Sequence, residues 1–381
     1  MDQFVMENKR EEESLDSKYM KGVRHLCDSG VTRLPTKYIL PVPDRPASTS
    51  PKGWANSPRD DQRKPSLHLP IIDLSELRQD SNRRSNNHVL RSLAEACEEH
   101  GFFQVVNHGV PAEVLRSMVD VSRRFFELPF EERARHMSSD IFAPVRCGTS
   151  LNQRTDRVFC WRDFLKLSCH PLPRTLPHWP SSPPDLRQVA VSYAQQTRSL
   201  FLVLMGAILE TLGVEDCKPM MEEFQEGTQM VVMNFFPACP EPDLTLGMPP
   251  HSDYGFLTLV FQDGVRGLQI QHRGDWVTVE PATADSIVVN VGDHLEIFSN
   301  GKYKSALHRV VVNSAKPRIS LASFHSLPAA TVVSPAPHLV DAHNPRRYLD
   351  TDFAAFLAHL SSNETKGKSF LDSRKLHACP S

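Results

Sequence analysis

Apolar residues recur every three to four positions through much of the amino-terminal half of this chain. This spacing predicts amphipathic helices that include residues 89–97, 113–126 and 185–212. Two shorter apolar runs, at 67–74 and 101–111, are typical of strands. The amino-terminal half is therefore expected to mix helices with strands.

Beyond residue 228, apolar and polar residues alternate instead. Eight short runs have this period of two, which is typical of strands with one buried face: QMVVMNFF, FLTLVFQ, GLQIQ, DWVTVEP, SIVVNVG, HLEIFS, SALHRVVVN and RISLASFHS. Strands of this number and spacing favour a closed or sandwiched antiparallel fold. The predicted fold class is mainly β with α, a double-stranded β-helix (jelly-roll, cupin-like) core flanked by helices, with a last helix at 352–360.

Composition divides the chain further. The stretch 41–65 is rich in proline, serine and charge and has few residues that could pack, so it is predicted to be a mobile linker. The expected organisation is an N-terminal extension and flexible linker at 1–66, an N-terminal α/β region at 67–225, the jelly-roll core at 226–345, and a C-terminal helix and tail at 346–381.

Charge and hydropathy narrow the classes of function. The 381 residues are 40% hydrophobic and 23% charged, which is ordinary for a globular protein. The formal net charge of -2 offers no basic surface for nucleic acid. The first residues are charged and the longest apolar run, 200–209, is too short to span a bilayer, so we expect a cytoplasmic protein without a membrane anchor. We expect a monomer that acts on a small molecule.

Three residues are candidate metal ligands. His251 and Asp253 stand two positions apart at the head of a predicted strand, and because strand side chains alternate faces, both are expected to point the same way. His308, in a later predicted strand, supplies a third donor. Two imidazoles and one carboxylate leave coordination positions open, as in non-haem Fe(II) oxygenases, but catalytic zinc sites also use three protein ligands. The ligand set alone does not name the metal.

A second pair of residues helps to decide between iron and zinc. Arg318 and Ser320 are again two positions apart within one predicted strand. A guanidinium beside a hydroxyl is suited to bind a carboxylate, because the planar fork makes two charge-assisted hydrogen bonds and the hydroxyl adds a third. A carboxylate pocket next to an open iron site predicts a keto-acid cosubstrate that chelates the metal at its other end.

These motifs together resemble one enzyme family. His251-x-Asp253, His308 and Arg318-x-Ser320, with NFFPACPEPDLTLGMPPHSD and GFFQVVNHGVP upstream, are similar to the plant 2-oxoglutarate- and Fe(II)-dependent dioxygenases, a group that contains flavanone 3-hydroxylase, flavonol synthase and gibberellin oxidases. The resemblance covers about residues 67–345. Within the group, YMKGVRHLCDSGVTRLPTKYILP and HSDYGFLTLVFQ most resemble enzymes of the flavanone 3-dioxygenase-like type.

The resemblance implies roles for particular residues. His251, Asp253 and His308 would hold Fe(2+), and Arg318 and Ser320 would bind the far carboxylate of 2-oxoglutarate. It also implies consumption of O2, release of succinate and CO2, hydroxylation of the substrate, and ascorbate as reductant.

The family's Asn-Tyr-Tyr-Pro motif is altered in this chain. Asn234 matches its asparagine and would lie near the keto-acid end of the cosubstrate, but Phe235 and Phe236 replace the two tyrosines. The second tyrosine usually lends a hydroxyl to the cosubstrate, so Phe236 would remove one hydrogen bond, worth about 0.5 to 1.5 kcal/mol.

Candidate substrate contacts are mostly aromatic. They share a predicted position near the mouth of the barrel: Phe324 and Ser326 on the strand of Arg318, Phe164 in CWRDFLK, and Phe159 and Tyr254. Aromatic walls favour a flat organic molecule, and an aromatic or terpenoid substrate is expected.

Several functions compete at this stage. The leading hypothesis is hydroxylation of a flavanone at ring position 3, and the nearest alternative is oxidation of a hormone or phenolic acid, such as a gibberellin, salicylate or a strigolactone-like compound. A non-catalytic 2-oxoglutarate-binding sensor would not need both an intact metal triad and the Arg-x-Ser pair. Zinc-dependent hydrolysis would leave Arg318 and Ser320 without a role. Four other histidines are interpreted as structural: His108, His272, His294 and His325.

Overall fold

The structure, a computed structural model of the chain, describes residues 21–46, 66–78, 83–138, 140–150, 156–362 and 369–376. The first 20 residues and most of the predicted linker lie outside these ranges. The described strands are β1 Ser66–Leu67, β2 Ile71–Asp73, β3 Phe102–Val106, β4 Val145–Gly148, β5 Asp163–Ser168, β6 Thr228–Phe236, β7 Met248–His251, β8 Leu257–Gln262, β9 Leu268–His272, β10 Asp275–Val279, β11 Ile287–Val291, β12 His308–Val310 and β13 Arg318–Ser326.

These strands form two sheets. The larger has the order β2-β3-β11-β8-β13-β6-β5-β4, and the smaller has the order β1-β10-β9-β12-β7. Most neighbouring strands run antiparallel, β13 pairing with β6 on one side and β8 on the other. The sheets and the helices around them are consistent with the predicted jelly-roll core flanked by helices, and the predicted fold class is confirmed.

The helices Arg83–Glu99, Ala112–Glu127 and Leu186–Thr211 pack against one face of the larger sheet. The described α-helices are α1 Val23–Asp28, α2 Ser75–Arg78, α3 Arg83–Glu99, α4 Ala112–Glu127, α5 Phe130–Ala134, α6 Leu172–Thr175, α7 Leu186–Thr211, α8 Lys218–Gln225, α9 Asp293–Phe298, α10 Phe353–Ser362 and α11 Ser369–Arg374. The predicted helices at 89–97, 113–126, 185–212 and 352–360 correspond to α3, α4, α7 and α10. None of the described helices combines the length and the apolar character that crossing a membrane requires.

Alternation along β13 places its core-facing residues and its candidate binding residues on opposite faces of the sheet. Ile319 and Leu321 are buried in a large hydrophobic cluster with residues of α3, α4 and α7. Arg318 and Ser320, which alternate with them, therefore lie on the opposite face of the sheet. A separate cluster that includes Phe102, from β3 of the larger sheet, and Ile270, from β9 of the smaller one, fills part of the space between the sheets.

The predicted α/β region and the predicted core share the larger sheet. Strand β3 pairs with β11, and β5 pairs with β6 along six residue pairs from Asp163–Phe235 to Ser168–Met230. Side chains from CWRDFLK are thereby placed beside those of β6 and β13. The exact boundaries at 67–225 and 226–345 stay predictions.

Part of the predicted N-terminal extension is folded. Val23, Leu26 and Tyr38 are buried in a hydrophobic cluster that also contains Phe236 and Trp161. The backbone N–H groups of Val23 and Arg24 each donate to the Asp163 carboxylate at 2.8 Å. The predicted N-terminal extension at 1–66 therefore contains a packed segment within residues 21–46, because apolar residues spaced along it find their partners only in the tertiary fold.

Two predicted strands differ in the structure. The run HLEIFS forms helix α9, in which the polar His294 and Glu296 are buried like Leu295 and Ile297, so their alternation does not mark a solvent-facing side. The run LHLPIIDL is divided at Pro70, with β1 in the smaller sheet and β2 in the larger one. Strand β7 was not predicted, because it contains Pro249 and Pro250, which remove two backbone donors.

Candidate metal and cosubstrate site

The three predicted metal ligands converge between the two sheets. His251 ends β7, His308 begins β12, and these two residues are paired across the sheet. Asp253 follows in the loop before β8, so it is not part of a strand with His251 as the sequence interpretation assumed. One donor atom from each of the three lies within 4.8 Å of the others.

Hydrogen bonds on the far side of each imidazole set its orientation. Nδ1 of His251 is 2.8 Å from the carbonyl oxygen of Pro249, and Nδ1 of His308 is 3.3 Å from that of Ala306. Because a carbonyl oxygen only accepts, Nδ1 is the donor in both rings, and Nε2 is the nitrogen that a neutral ring offers to a metal. Each Nε2 lies 3.7 Å from Oδ1 of Asp253.

Burial and charge keep these groups in the protonation states that bind a metal. Burial, and next the neighbouring His308, lower the pKa of His251 to about 4, and Arg162 also contributes. Burial acts to raise the pKa of Asp253, but the two imidazoles and an amide hydrogen bond from Asn290 at 2.8 Å outweigh it, and the pKa is lowered. His251 is therefore a neutral imidazole and Asp253 a carboxylate at neutral pH, the states in which both bind a divalent cation.

The donor set fits a metal with open coordination positions. Two imidazole nitrogens and one carboxylate oxygen are the ligands of the facial triad in non-haem Fe(II) oxygenases. Among the described residues, this is the one group of three histidine, cysteine or acidic side chains that meets the distance expected of a metal site. The residues present are thus compatible with Fe(II).

Arg318 is held by two hydrogen bonds that leave one nitrogen available. Its Nε donates to the carbonyl oxygen of Val265 at 3.0 Å and its Nη2 to Oε1 of Gln262 at 2.6 Å. Nη1 is buried and has no partner among the described residues. Burial lowers the pKa of Arg318 to about 10, so the guanidinium is still charged at neutral pH. A buried cation with an unsatisfied N–H is suited to receive a carboxylate.

The remaining predicted cosubstrate residues lie beside Arg318. Ser320, on the same face of β13, is directly opposite Asn234 of β6, whose Nδ2 donates to its Oγ at 3.5 Å. The Phe236 ring faces the Arg318 guanidinium at 5.0 Å. A side chain at Gly247 would lie only 2.5 Å from Cδ1 of that ring, so Gly247 leaves the space that Phe236 occupies. Phe235 points to the other face and stacks on Phe126.

Restoring the tyrosine of the family motif tests how this pocket is built. We expect Phe236→Tyr to bind 2-oxoglutarate as tightly as the wild type or up to about tenfold more tightly, because one added hydrogen bond contributes about 0.5 to 1.5 kcal/mol. The dissociation constant from anaerobic titration measures the effect. Phe235→Tyr is the matched control, since that ring faces the helices. A marked loss of affinity in Phe236→Tyr would contradict the assignment.

Two of the predicted substrate contacts lie on the face that carries Arg318. Phe164 of β5 is directly opposite Asn234. Phe324 of β13, which is less buried than its neighbours, is paired with Met230 and Thr258. Their contact with substrate stays a prediction.

The other three candidates are engaged elsewhere. Phe159 packs edge-on against Tyr38 of the N-terminal segment, with ring centroids 5.7 Å apart. Tyr254 stacks on Phe356 of α10 at 4.1 Å. The Ser326 hydroxyl is 3.0 Å from Nδ1 of His294. These contacts supply a structural role for each residue, and a role in substrate binding remains a prediction for all three.

Sequence reasoning missed residues that hold the site in place. Gln262 positions Arg318, and Asn290 positions Asp253. Arg162, which donates from Nη1 to Oδ1 of Asn234 at 3.1 Å, was also missed. A signal for it was present, since Arg162 precedes Phe164 by two positions in the same way that Arg318 precedes Ser320.

The chain matches two descriptions of protein families. Residues 227–327 match the 2OG-Fe(II) oxygenase superfamily, and residues 69–186 match the N-terminal region described as non-haem dioxygenase in morphine synthesis. The first match contains the three candidate metal ligands and the Arg318–Ser320 pair. The second contains β2 to β5 and the helices α3 and α4.

Several plant oxygenases are similar to this chain over most of its length. It is 36% identical to Protein DMR6-LIKE OXYGENASE 2 of Arabidopsis thaliana, over 91% of this chain and 95% of the relative. It is 39% identical to Flavanone 3-dioxygenase 2 of Oryza sativa subsp. japonica, over 83% of this chain and 86% of the relative. The crystal structure of JOX2 in complex with 2OG, Fe and JA has a TM-score of 0.81 and 31% identity, covering 93% of this chain and 98% of that one.

Proposed function

Because this chain belongs to the 2OG-Fe(II) oxygenase superfamily, we propose that it hydroxylates a small plant specialised metabolite, with a flavanone at ring position 3 as the leading candidate. The enzyme class itself is established: it is a 2-oxoglutarate-dependent dioxygenase of the non-haem iron type. The observation that carries the proposal is that the buried Arg318 leaves one N–H free on the face of the sheet that also bears Ser320, in a fold that brings His251, Asp253 and His308 together.

Each group in this arrangement has a distinct task. Iron, when bound by His251, Asp253 and His308, supplies the activation of O2, with 2-oxoglutarate consumed to succinate and CO2. Arg318 and Ser320 bind the far carboxylate of 2-oxoglutarate and so orient its keto-acid end. The protein positions the cosubstrate and the substrate relative to each other and excludes water from the pocket.

A flavanone is favoured by the relatives and by the aromatic side chains on the inner face. Two of the similar rice proteins are named flavanone 3-dioxygenases, one at 39% and one at 37% identity. Phe164 and Phe324 offer flat apolar surfaces to a ring system. Ser326, which is bound to His294, would contact a phenolic hydroxyl only by exchanging that partner.

A hormone or phenolic acid is the second candidate substrate. The solved structure of JOX2 contains JA, and a rice structure named as a dioxygenase for auxin oxidation is 28% identical with a TM-score of 0.69. The rice structure is thus named for a reaction on auxin and not on a flavanone. Gibberellin, salicylate and strigolactone-like compounds belong to the same set of alternatives, and a non-catalytic sensor is disfavoured by the intact ligands.

Release of labelled CO2 tests the proposal. We expect the purified protein with Fe(II), ascorbate, O2 and carboxyl-labelled 2-oxoglutarate to release CO2 slowly alone and faster with naringenin, because a bound substrate couples the two oxidations. Mass spectrometry of the products identifies the position oxidised. Stimulation by salicylate and not by naringenin would favour the second candidate. No release with a broad metabolite panel would favour the sensor. Cytoplasmic location, a monomeric state and the need for ascorbate stay predictions.

A further inference from the structure

Arg162 is a buried cation whose side chain is only partly bonded. It is 7% exposed, and its Nη1 donates to Oδ1 of Asn234 at 3.1 Å. Its Nε is buried without a partner among the described residues. A buried charged N–H without an acceptor is costly, so this edge of the guanidinium is suited to an anion that the protein itself does not provide.

The geometry of the guanidinium identifies which edge is available. Nη1 is used by Asn234, whereas Nε and Nη2 form the other edge of the planar group. That edge presents two parallel N–H bonds and matches the two oxygens of a carboxylate or one ionised oxygen. Arg318 differs, because its Nε and Nη2 are both bonded to the protein and its Nη1 is the free nitrogen.

An aromatic ring lies next to the guanidinium group. The Arg162 guanidinium is 4.9 Å from the centroid of the Phe164 ring, and that of Arg146 is 5.4 Å from the same centroid. Lys166 continues this face of β5 and donates to the carbonyl oxygen of Ile141. The pocket wall thus combines an apolar ring with several positive charges.

Nearby carboxylates act on that wall electrostatically. Asp163 is turned to the opposite face, where Val23, Arg24 and Thr149 donate to it. Asp156 also acts on Arg162 electrostatically. Asp163 acts on Arg162 as well and Asp140 acts on Arg146, so the wall carries acids beside its cations, and it is the unpartnered Nε of Arg162 that favours an anion there.

Arg162 lies between the predicted cosubstrate pocket and the Phe164 wall. Through Asn234 it is linked to Ser320, which also carries a hydrogen bond from that amide. The far carboxylate of 2-oxoglutarate is already provided for by Arg318 and Ser320. A second anion receptor on the same inner face is therefore available to the molecule being oxidised.

We propose that Arg162 binds an anionic oxygen of the substrate, a carboxylate or an ionised phenol, on an aromatic ring that lies against Phe164. This inference rests on the proposed function and specifies the class of its substrate. It places an acidic group at one end of the substrate and leaves the rest of the ring system to extend toward the metal ligands. The same receptor accepts an aromatic acid or a flavanone in its phenolate form.

Binding of matched acidic and neutral probes tests this assignment. The full chain loaded with Fe(II) and 2-oxoglutarate is titrated without O2 with cinnamate and cinnamamide, with salicylate, and with naringenin and its fully O-methylated ether. We expect an acidic probe to bind at least about tenfold more tightly than its neutral partner, since one lost charged hydrogen bond costs about 1.5 kcal/mol or more. Arg162→Gln should remove that difference, and Arg162→Lys should retain part of it.

Controls separate a local effect from a loss of folding. Arg116→Gln, at an exposed position of α4, should leave every affinity unchanged. The melting temperature of Arg162→Gln should stay close to wild type, and its dissociation constant for 2-oxoglutarate should change less than that for the acidic probe, although Asn234 loses one donor. Loss of cinnamate or salicylate binding identifies a carboxylate, and loss of naringenin binding identifies a phenolate.

Three results would overturn the assignment. The first is equal affinity of the wild type for acidic and neutral probes, and the second is no binding of any acidic probe to the wild type. The third is that Arg162→Gln weakens the binding of 2-oxoglutarate and not the binding of the probe. CO2 release from 2-oxoglutarate driven by a neutral metabolite would uphold the proposed function while refuting this inference.

Discussion

Replacing His308 by alanine is expected to abolish turnover. The substitution removes one of three donors that lie within 4.8 Å of one another, and the two that remain cannot hold a divalent cation in the same geometry. Because loss of an outer partner of a ligand alone costs about 10-fold to 100-fold in metal affinity, loss of a ligand should cost at least about 100-fold. CO2 release from 2-oxoglutarate should fall to background.

Iron content distinguishes loss of the ligand from loss of the fold. After desalting, His308→Ala should retain little iron where the wild type retains about one equivalent, while its melting temperature without metal stays close to wild type. His343→Ala is the matched control, because His343 is exposed and remote from the three ligands in sequence. Wild-type iron content in His308→Ala would show that the metal is held by other residues.

The second large effect is expected from Arg318→Leu. The change removes the buried guanidinium that is proposed to receive the far carboxylate of 2-oxoglutarate, together with its charge. One charge-assisted hydrogen bond from the available Nη1 contributes about 1.5 to 3 kcal/mol, so the KM for 2-oxoglutarate should rise by about 10-fold to 100-fold. Initial rates of CO2 release across a range of 2-oxoglutarate concentrations measure it.

The dependence of the initial rate on 2-oxoglutarate concentration distinguishes a role in cosubstrate binding from other roles. A residue that binds cosubstrate should change the KM for 2-oxoglutarate more than the rate at saturation. Arg318→Lys keeps the positive charge but loses the planar guanidinium group that Val265 and Gln262 hold. Its KM for 2-oxoglutarate should therefore lie between those of Arg318→Leu and the wild type. Arg116→Leu is the exposed control. An unchanged dependence on 2-oxoglutarate in Arg318→Leu would refute the assignment.

The sequence was sufficient to place the candidate cosubstrate residues on one face of the sheet, because the alternation of side chains along a strand is a local property. In β13 the apolar Ile319 and Leu321 must face the helices, which places Arg318 and Ser320 on the other face whatever the rest of the fold does. The same alternation in β6 places Asn234 and Phe236 together. The residues of the metal triad were identified from their chemical type, but the strand argument for His251 and Asp253 was wrong, since Asp253 lies in a loop.

Contacts between distant segments could not be read from local pattern. The packing of Val23 and Tyr38 against Phe236, and the bonds of Arg162, depend on which strands become neighbours. The alternating run HLEIFS was wrongly predicted as a strand. Its polar residues are buried in helix α9, so the alternation does not mark a solvent-facing side.

The amino-acid sequence by itself therefore determined the jelly-roll class and the side chains able to bind a metal and a carboxylate. Only the tertiary structure decided that β5 pairs with β6, which brings Arg162 and Phe164 beside Asn234. The physical reason is that side-chain alternation follows from the backbone of each strand, whereas the pairing of strands far apart in the chain follows from the packing of the whole core.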